Sequence, residues 1–558
     1  MTGPWDPDSA EDDDGGEDDP MEEDRGDDDR GDGAPAADWP RRDLARATAS
    51  TTPAATAIVD VEADREWTYA DLDRVVGRVA ADLTAVVPPG GGRIGLLCST
   101  RVATAVVLHA AMRTGTPAVP LEPSLPTAAV RDRLERADVG VIVCEEETEA
   151  TAVEAVGPST ADTADTPILS VDATSREAVT SLGHHLSDPE TEAGTAGPEA
   201  AVAGQASGVG PDPARLDRTD EALVAFTSGT TGDPAGVRLT VGNLVASATA
   251  SAFRLGTLPG DRWLAPLPMA HLGGLSPVYR TALYGTTLVV QRGFDAQRTA
   301  RILADHDVTG VSLVPTQLRR LLDAGWEPPT ALRCVLLGGA PAGEDLLADA
   351  LARDVPVCTT YGSTETASQI ATARPDQVRE RPETVGNPLQ FTEVTVVADG
   401  DPVPAGDRGE LVVDGPTVTP GYLDDGATAA AFGEYGLHTG DLGYRVDDGS
   451  LVVLGRLDDT ILTGGETVHP TTVADVLREH AAVREAAVVG LADEEWGERV
   501  AALVVADEVV RAEALEEFAR DRLPRYAVPK VVGFADELPR TASGTVDRDA
   551  VRDTLAGL

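Results

Sequence analysis

The chain of 558 residues contains one lysine, Lys530, and all its other basic residues are arginines. Its 94 acidic residues outnumber the 45 basic ones, so the formal net charge is −49. Such a surface repels nucleic acid and anionic lipid, which argues against both as partners. Abundant carboxylates with almost no lysine favour a protein adapted to high salt, where screening weakens the repulsion between like charges. An acidic protein from an ordinary cell is the alternative.

Cysteines are also few, and Cys98, Cys144, Cys334 and Cys358 are far apart in the sequence. They lie in apolar segments without a C-x-x-C pair, which favours reduced, packed thiols over a disulfide framework or a zinc site. No apolar run approaches the roughly 20 residues of a membrane span. The acidic N-terminus is unlike a secretory signal. We therefore expect a cytoplasmic protein without a membrane span.

The order of segments predicts several domains. Residues 1–38 are dominated by Asp, Glu, Gly and Pro and predict a disordered acidic tail. From residue 39, strand-like and helical segments alternate, which favours an α/β domain with a largely parallel sheet. Low complexity at 183–218 predicts a flexible loop. Valine-rich segments up to 457 predict a β-rich subdomain, and 458–558 predict a small α+β domain.

One stretch, ALVAFTSGTTGDPAGV at 222–237, combines an apolar run with a turn rich in glycine and threonine. The run predicts a buried strand. The glycines permit a tight turn, in which amides and hydroxyls can surround a polyphosphate. The spacing differs from G-x-x-x-x-G-K-[ST], so that nucleotide-binding loop is excluded. From composition alone, an anion-binding loop and an ordinary hairpin both fit.

Two later turns carry chemically useful groups. In YGSTET, Tyr361 can stack on a base, Thr364 can donate to phosphate, and Glu365 can bind Mg²⁺, which prefers oxygen ligands. In HTGDLGYR, Asp441 can accept hydrogen bonds from both hydroxyls of a ribose. Each alone also fits an ordinary polar turn or a helix cap.

Taken in order, TSGTTGDPAGV, LLGGAP, YGSTET, HTGDLGYR and GRLDDTILTGG resemble the core motifs of the adenylate-forming superfamily, which contains acyl-CoA synthetases, luciferases and adenylation domains. The resemblance extends from residue 39 to the end. It implies an α/β fold, with a large N-terminal domain of helix-covered sheets, a β-rich subdomain and a small mobile α+β C-terminal domain. It also implies a two-step reaction with ATP, Mg²⁺ and coenzyme A, in which an acyl-adenylate and then a thioester form.

The resemblance implies roles for particular residues. Thr230 and Glu365 would be catalytic, with Glu365 as the Mg²⁺ ligand. Asp458 would be the hinge before the C-terminal domain, and Gly464 and Gly465 would line the pantetheine tunnel. The ATP and AMP contacts would be Thr227, Ser228, Gly229, Thr230, Thr231, Gly232, Gly339, Ala340, Pro341, Tyr361, Gly362, Thr364, Asp441 and Arg456.

The chain departs from the family pattern at two positions, because Ala235 and Thr545 stand where lysines are expected. Losing one charge-assisted hydrogen bond costs about 1.5–3 kcal/mol, which is roughly 10- to 150-fold in rate. This predicts slowed adenylation. We hypothesise that Arg540, in a catalytic role, or Arg548 supplies the missing charge, because both flank Thr545. A non-catalytic nucleotide-binding homologue is the alternative from another class.

Softer signals concern the carboxylate substrate. PLPMAHLGGLSPVYRTALYG, TETASQI and LRCVLLGGAP resemble the o-succinylbenzoate–CoA ligases of menaquinone synthesis. This resemblance implies that His271, as a catalytic residue, lies near the acyl group with Gly273 and Gly274; His271 could instead be a core residue. Arg280 could neutralise a second carboxylate or be solvated at the surface. A fatty-acyl or other aryl-CoA synthetase is the alternative enzyme.

Overall fold

The structure is a computed structural model that describes residues 42–87, 92–157, 166–182, 214–227, 234–493, 496–541 and 546–557. The predicted acidic tail, residues 183–213 of the predicted flexible loop, and residues 228–233 of the glycine–threonine turn lie outside these ranges. Leu216 is buried, so the chain is anchored again from residue 214 onward. Among the described helices, none is both long and apolar enough to cross a membrane.

Helices and strands alternate in the first part of the chain, as the sequence predicts. In order they are α1 (Leu44–Ala49), β1 (Thr56–Asp60), β2 (Arg65–Thr68), α2 (Tyr69–Val86), β3 (Arg93–Leu97), α3 (Val102–Thr114), β4 (Ala118–Pro120), α4 (Thr127–Arg136), β5 (Val139–Cys144), α5 (Glu149–Val156), β6 (Ile168–Ser170), β7 (Thr180–Ser181), β8 (Glu221–Phe226), β9 (Gly236–Thr240), α6 (Val241–Leu255), β10 (Arg262–Ala265), α7 (Leu272–Tyr284), β11 (Thr287–Val290), α8 (Ala296–Asp305), β12 (Gly310–Leu313), α9 (Pro315–Asp323), β13 (Cys334–Leu337), α10 (Glu344–Ala352) and β14 (Val357–Tyr361).

Strands dominate the next part, and a mixed segment ends the chain. The elements are β15 (Ala371–Thr372), α11 (Pro375–Glu380), β16 (Asn387–Pro388), β17 (Glu393–Ala398), β18 (Asp401–Pro402), β19 (Gly409–Asp414), β20 (Gly421–Tyr422), α12 (Asp425–Ala431), β21 (Phe432–Gly433), β22 (Gly436–Arg445), β23 (Leu451–Arg456), β24 (Ile461–Thr463), β25 (Glu466–Val468), α13 (Pro470–Arg478), β26 (Val483–Asp493), β27 (Gly497–Ala506), α14 (Ala512–Arg520), β28 (Val531–Phe534) and α15 (Arg548–Ala556).

Local sequence signals explain where the main helices begin. At the predicted cap of α2, Thr68 Oγ1 accepts from the amide of Asp71, and the Asp71 carboxylate accepts from the amide of Thr68, both at 3.1 Å. This reciprocal capping box satisfies two amides that a helix start leaves without partners. Thr240 and Asn243 form the same arrangement at α6.

Two large sheets form the N-terminal region. One sheet has the order β20-β9-β8-β4-β3-β5-β6-β7, and it is parallel from β8 to β7. The other has the order β16-β15-β14-β13-β12-β10-β11-β1-β2, and it is parallel from β14 to β1. The predicted parallel α/β architecture is therefore present.

A layer of helices separates the two sheets. The largest hydrophobic cluster joins Leu96 and Leu223 of the first sheet to Leu288 of the second, and it includes the buried faces of α2, α3, α6 and α7. On β11, Leu288 faces this layer while Val289 faces a second cluster on the outside of its sheet. Both faces of the sheet are thus covered, as parallel sheets require.

The β-rich subdomain and the C-terminal α+β domain are present as expected. In the first, β18-β17-β19-β22-β21 form an antiparallel sheet, with β23 paired to β22. In the second, the order is β25-β24-β27-β26, with β28 parallel to β27. Side chains on β26 and β27 alternate between two clusters, so helices pack on both faces of this sheet.

The carboxyl ends of parallel strands place the candidate site. Because β10, β12, β13 and β14 run in the same direction, the loops that follow them lie along one edge of their sheet. Ligands of open parallel sheets bind outside this edge. His271 comes from the loop after β10, LLGGAP ends after β13, and YGSTET begins at the end of β14.

Candidate active site

The turn after β14 is held in one shape by close backbone packing. A Cβ atom at Gly362 would lie 1.7 Å from the carbonyl oxygen of Ser368, so only glycine fits there. Ala367 and Ser368 have φ values of 54° and 135°, and the amide of Ile370 donates to the carbonyl of Tyr361 at 2.8 Å. Positive φ in residues other than glycine costs free energy and is concentrated at functional sites.

The segment that resembles the adenine-lining motif lies beside this turn. In the register of β13 and β14, Leu337 is opposite Thr359. A Cβ atom at Gly338 would lie 2.6 Å from Thr360, and Gly339 has a φ of 81°. The glycines before Ala340 and Pro341 therefore let the two loops approach each other closely.

Tyr361, Asp441 and Arg456 form one hydrogen-bonded group. The Tyr361 hydroxyl donates to Asp441 Oδ2 at 2.6 Å, and Arg456 Nη1 donates to Asp441 Oδ1 at 3.4 Å. Asp441 and Arg456 are direct partners in the register of β22 and β23. The sequence singled out all three residues, and the structure brings them together.

Burial dominates the electrostatics of this group. It raises the pKa of Asp441, although the hydrogen bonds from Tyr361 and Arg456 act in the opposite direction. Burial and the negative charge of Asp441 raise the pKa of Tyr361 well above its usual range, so its hydroxyl stays protonated and donates. Both oxygens of Asp441 thus meet a donor before any ligand arrives.

Glu365 lies in a short 3₁₀ turn, Thr364–Thr366, that is fixed from the other sheet. Its Oε1 accepts a hydrogen bond from the Tyr422 hydroxyl at 3.0 Å, and its carbonyl accepts from the amide of Thr419 at 2.7 Å. The negative charge of Glu365 contributes to the raised pKa of Asp441. The predicted Mg²⁺ ligand Glu365 is therefore close enough to the predicted ribose ligand Asp441 for their charges to interact.

The two ends of the glycine–threonine turn are closed by hydrogen bonds. The amide of Thr227 donates to the carbonyl of Ala235 at 3.0 Å, and the amide of Ala235 donates to Thr227 Oγ1 at 3.2 Å. Val237, just beyond, is paired with Tyr422, the residue that holds Glu365. Ser228, Gly229, Thr230, Thr231 and Gly232 lie outside the described residues, so their predicted phosphate contacts stay predictions.

His271 precedes α7 and faces Glu122. Its Nε2 atom lies 3.7 Å from Glu122 Oε2, which is beyond hydrogen-bonding distance, and neither atom has a hydrogen-bond partner among the described residues. Burial lowers the pKa of His271 and raises that of Glu122. The imidazole side chain is 30% exposed, so His271 is not a core residue.

The two glycines after His271 have different surroundings. A Cβ atom at Gly274 would lie 2.3 Å from the carbonyl oxygen of Pro268, so this glycine lets the start of α7 pack on the preceding loop. A Cβ atom at Gly273 would meet only the Leu267 side chain, at 3.3 Å. The geometry thus gives Gly274 a packing role in addition to the acyl contact that the sequence predicts.

Arg280 is buried, so of the two alternatives the solvated surface residue is wrong. Its side chain extends from α7 toward α6 and lies over the Trp263 ring at 3.9 Å, because helix and strand here pack face to face. Nη1 donates to Ser251 Oγ at 3.0 Å, whereas Nη2 has no hydrogen-bond partner among the described residues. Burial lowers its pKa to about 10, so the side chain remains positive at neutral pH.

A small cavity adjoins this guanidinium. Its volume is about 10 Å³, which is room for about one water. Ser276 lines it with a buried hydroxyl that has no hydrogen-bond partner among the described residues. The other polar lining residues are Ser247, Ser251, Ser368 and Gln369. In the described part of the chain, no carboxylate forms an ion pair with Arg280.

The predicted hinge and tunnel residues lie at the start of the C-terminal domain. Asp458 Oδ2 is 3.9 Å from Arg456 Nη2. Gly464 and Gly465, at φ values of 60° and 83°, form the two-residue turn of the β24–β25 hairpin. A Cβ atom at Gly464 would lie 2.5 Å from the exposed Trp496 ring. Their predicted roles in rotation and thiol access stay predictions.

The two arginines near Thr545 have different partners; Thr545 itself lies outside the described residues. Arg540 pairs with Glu485 on β26 at 2.6 Å. Arg548 pairs with the buried Asp459. Burial lowers the pKa of Arg548, and the positive charges of Arg552 and Arg456 lower that pKa further. Arg548 is thus within electrostatic reach of the Asp441 group.

Comparison with known proteins decides the family. A model described as AMP-binding enzyme matches residues 45–423, and one described as AMP-binding enzyme C-terminal domain matches residues 472–545. The chain belongs to the AMP-binding enzyme family. The family expected from the motifs is confirmed, and with it the large N-terminal and small C-terminal domains. The exact boundary at Asp458 stays a prediction.

Two similar proteins among the AMP-binding enzymes carry the same name. A 2-succinylbenzoate–CoA ligase of Bacillus licheniformis is 43% identical over 59% of this chain and 69% of its own length. One from Bacillus cereus is 35% identical over 90% of this chain and 96% of its own.

Solved structures of AMP-binding enzymes agree with the fold. The o-succinylbenzoate CoA synthetase of Bacillus subtilis, in complex with the acyl-adenylate intermediate OSB-AMP, is 31% identical, with a TM-score of 0.80 over 92% of this chain and 98% of that one. The amide bond synthetase McbA of Marinactinospora thermotolerans is 29% identical, with a TM-score of 0.79 over 92% and 99%.

Sequence reasoning missed two residues of this AMP-binding enzyme's site. Tyr422, which fixes Glu365, occurs in GYLDD, a segment that lies between YGSTET and HTGDLGYR in the sequence. Ser276, beside Arg280, follows the HLGGL segment directly, and nothing in its spacing marks it as different from other helical serines. A signal for Tyr422 was present, because its aromatic hydroxyl follows a glycine between two recognised motifs.

Proposed function

We propose that the protein is an ATP-dependent carboxylate–CoA ligase of menaquinone synthesis. It converts o-succinylbenzoate, ATP and coenzyme A to o-succinylbenzoyl-CoA, AMP and pyrophosphate through an acyl-adenylate. The single observation that carries the choice of substrate is the buried Arg280, in the helix that follows His271, which has no carboxylate partner among the described residues. The names of the relatives and the bound OSB-AMP of the Bacillus subtilis enzyme support the same choice.

The substrate has two carboxylates, and only one of them is activated by ATP. The other needs a cation that is not already neutralised by the protein. Breaking a buried ion pair by removing one partner costs about 3–5 kcal/mol, so a buried arginine without a carboxylate stabilises an incoming one strongly. The Trp263 face offsets part of the cost of burial in the free protein. Arg280 thus favours a dicarboxylic acid over a fatty acid.

The cavity limits how the second carboxylate is held. Because the space beside Arg280 admits about one water, it fits one carboxylate oxygen or a bridging water but not an aromatic ring. The buried Ser276 hydroxyl, which has no hydrogen-bond partner among the described residues, supplies a second donor. The ring would lie toward His271, where burial keeps the imidazole neutral and therefore able to contact an acyl group without adding charge.

The nucleotide would be held at the other end of the site. Asp441 accepts from ribose hydroxyls, Arg456 keeps that carboxylate oriented, and Tyr361 presents its ring beside the base and its hydroxyl to Asp441. Glu365 is a hard oxygen ligand, so it fits Mg²⁺, and Tyr422 orients its carboxylate. When bound, Mg²⁺ would neutralise charge on the phosphates.

The missing lysines lower the local positive charge without abolishing the site. Ala235 contributes only its backbone, which closes the turn through Thr227. Arg548 is the better placed of the two candidate replacements, because its charge already acts on Arg456. Arg540 is paired with Glu485 of β26, so it would have to leave that carboxylate to act.

The test is a panel of carboxylates assayed for AMP release at high KCl, with and without coenzyme A. We expect o-succinylbenzoate to be used with the highest kcat/KM. Preference for palmitate would overturn the proposed substrate and favour the fatty-acyl alternative. ATP binding by calorimetry, without pyrophosphate exchange for any acid at high enzyme concentration, would indicate the non-catalytic homologue.

A further inference from the structure

Cys334 and Cys358 are separated by 24 positions in the sequence, yet their sulfur atoms are 3.0 Å apart. They lie on the neighbouring parallel strands β13 and β14, where Leu336 is opposite Cys358. Because Cys334 precedes Leu336 by two residues, both side chains point to the same face of the sheet. Both are buried, at 6% and 2% exposure.

The other two cysteines provide a comparison within the same molecule. Cys144 ends β5, and Cys98 directly follows the neighbouring strand β3, but each thiol has a carbonyl oxygen as its partner. Cys98 Sγ lies 3.8 Å from the carbonyl of Val143, and Cys144 Sγ lies 3.3 Å from that of Leu169. Direct contact between thiols is thus specific to Cys334 and Cys358 among the described residues.

We propose that Cys334 and Cys358 are a modification site, which a hydroperoxide converts reversibly from two thiols to a disulfide that weakens nucleotide binding. A covalent S–S bond is about 2.05 Å long, so the sulfurs need to approach by about 1 Å. This inference goes beyond the proposed ligase activity, because it concerns control of the ATP site and does not depend on the identity of the carboxylate.

The chemistry is balanced without any group from the protein other than the two thiols. The Cys334 sulfur attacks one peroxide oxygen, the O–O bond breaks, and a sulfenic acid and one water form when the oxidant is hydrogen peroxide. The Cys358 sulfur then attacks the Cys334 sulfur, loses its proton and displaces the second water. Two thiols are oxidised by two electrons, and the peroxide is reduced to two waters.

Exposure and protonation set the order of these steps. Cys334 is the more exposed of the pair, so a small oxidant reaches it first. The pKa of Cys358 is raised by the hydrogen bond between Cys358 and Cys334 and by burial. The Cys358 sulfur therefore stays a protonated thiol until it attacks. The raised pKa also predicts slow oxidation, since the thiolate is the nucleophile.

The strands β13 and β14, which carry the two cysteines, also lead into residues of the candidate site. Cys358 precedes Tyr361, the partner of Asp441, by three residues, and Cys334 precedes the loop at Gly338 by four. The sulfurs also pack in one cluster with Trp263, on which Arg280 stacks. Drawing the strands together therefore acts on both ends of the candidate site. A displacement of about 1 Å at such a distance can cost about 100-fold in activity.

The experiment treats the full chain with hydrogen peroxide and stops the reaction with catalase. We expect free thiols, counted after denaturation, to fall from four to two, with a peptide cross-link between Cys334 and Cys358. ATP binding, measured by calorimetry, should weaken about tenfold or more, and dithiothreitol should restore both. Mass analysis and ATP binding need no carboxylate, so this test is independent of the ligase proposal.

Variants make the result specific. Cys358→Ala and Cys334→Ser should abolish the cross-link and the reversible loss of ATP binding. The double variant Cys98→Ala/Cys144→Ala should respond as the natural protein does, and circular dichroism confirms that each variant is folded. Four thiols remaining in treated, folded protein, or sulfinic acid without a cross-link, would overturn the disulfide. A cross-linked protein with unchanged ATP binding would overturn its effect on the site.

Discussion

Tyr361 donates its hydroxyl hydrogen to Asp441 across 2.6 Å, and this bond joins the end of a parallel strand of the N-terminal sheet to an antiparallel strand of the β-rich subdomain. The two residues are 80 positions apart. Removing the hydroxyl should free Asp441 to turn away from the ribose position.

Tyr361→Phe tests this bond. A hydrogen bond to a charged group contributes about 1.5–3 kcal/mol, so we expect the KM for ATP to rise by roughly 10-fold or more while the KM for coenzyme A is unchanged. Steady-state kinetics with each substrate varied separately give the answer. Tyr526→Phe, at an exposed tyrosine, is the matched control. Equal effects in the two variants would contradict the assignment.

Tyr422→Phe should alter the dependence on Mg²⁺. Without the donated hydrogen bond, Glu365 loses the contact that orients its carboxylate, so more Mg²⁺ should be needed for half-maximal activity. Loss of a ligand's supporting hydrogen bond typically costs about 10- to 100-fold in metal affinity. A Mg²⁺ titration of activity at saturating ATP measures this. An unchanged Mg²⁺ midpoint would show that Glu365 is not a metal ligand.

Arg280→Met should remove the preference for a second carboxylate. We expect kcat/KM for o-succinylbenzoate to fall by about 10- to 150-fold, with little change for 4-oxo-4-phenylbutyrate, which lacks the carboxylate on the ring. Arg254→Met, at a half-buried arginine of α6 that bonds to backbone carbonyls, serves as the control. An equal loss with both acids would assign Arg280 to structure alone.

Arg540→Ala and Arg548→Ala test which cation replaces the missing lysine. We expect Arg548→Ala to slow acyl-adenylate formation by about 10-fold or more, while transfer from a preformed acyl-adenylate to coenzyme A stays near its original rate. Single-turnover assays separate the two steps. Thr545→Lys in the Arg548→Ala background should restore adenylation. If the variant that lacks both arginines adenylates normally, neither arginine has the role.

His109 predicts a dependence of stability on pH. His109 belongs to α3, and its buried ring lies against Tyr279 and near Asp43 and Arg113. Burial lowers the pKa of His109 to about 4. The unfolded state, with a pKa of about 6.5, binds the proton first as pH falls. The free energy of unfolding should therefore decrease below pH 6.5, by about 2 kcal/mol at pH 5.

Urea unfolding of the natural protein and of His109→Gln, at several pH values, checks this. The variant should lose less stability between pH 7 and 5 than the natural protein does. His306→Gln, at a half-buried histidine at the end of α8, provides the control for a general effect of removing an imidazole. Parallel pH curves for all three proteins would exclude the contribution of His109.

Much of the architecture could be predicted because it depends on local signals. Thr68 caps α2 as expected, and the apolar runs before YGSTET and LLGGAP are parallel neighbours. The motifs also named Tyr361, Asp441 and Arg456 as nucleotide contacts, and the structure brings the three residues together. These inferences required only the alternation of segments and short, specific patterns.

What could not be predicted depends on register and on packing between distant segments. A lone arginine suggests a solvated face, and only the contact with Trp263 and Ser251 shows that Arg280 is buried. The contact of Cys334 with Cys358 follows from the stagger of β13 against β14, which a separation of 24 positions in the sequence does not reveal. The pairing of Tyr422 with Glu365 likewise joins segments 57 positions apart.

The helices between the two sheets set the spacing of the nucleotide site. Asn243 and Ser247 of α6, which follows the glycine–threonine turn, bond to the carbonyls of Val418 and Ala367, the latter in the turn after β14. One face of α6 is therefore bonded both to the segment before β20 and to the turn after β14. Natural or engineered substitutions that change the volume of the small residues of α6 should therefore change the affinity for ATP, without altering any atom that contacts the nucleotide.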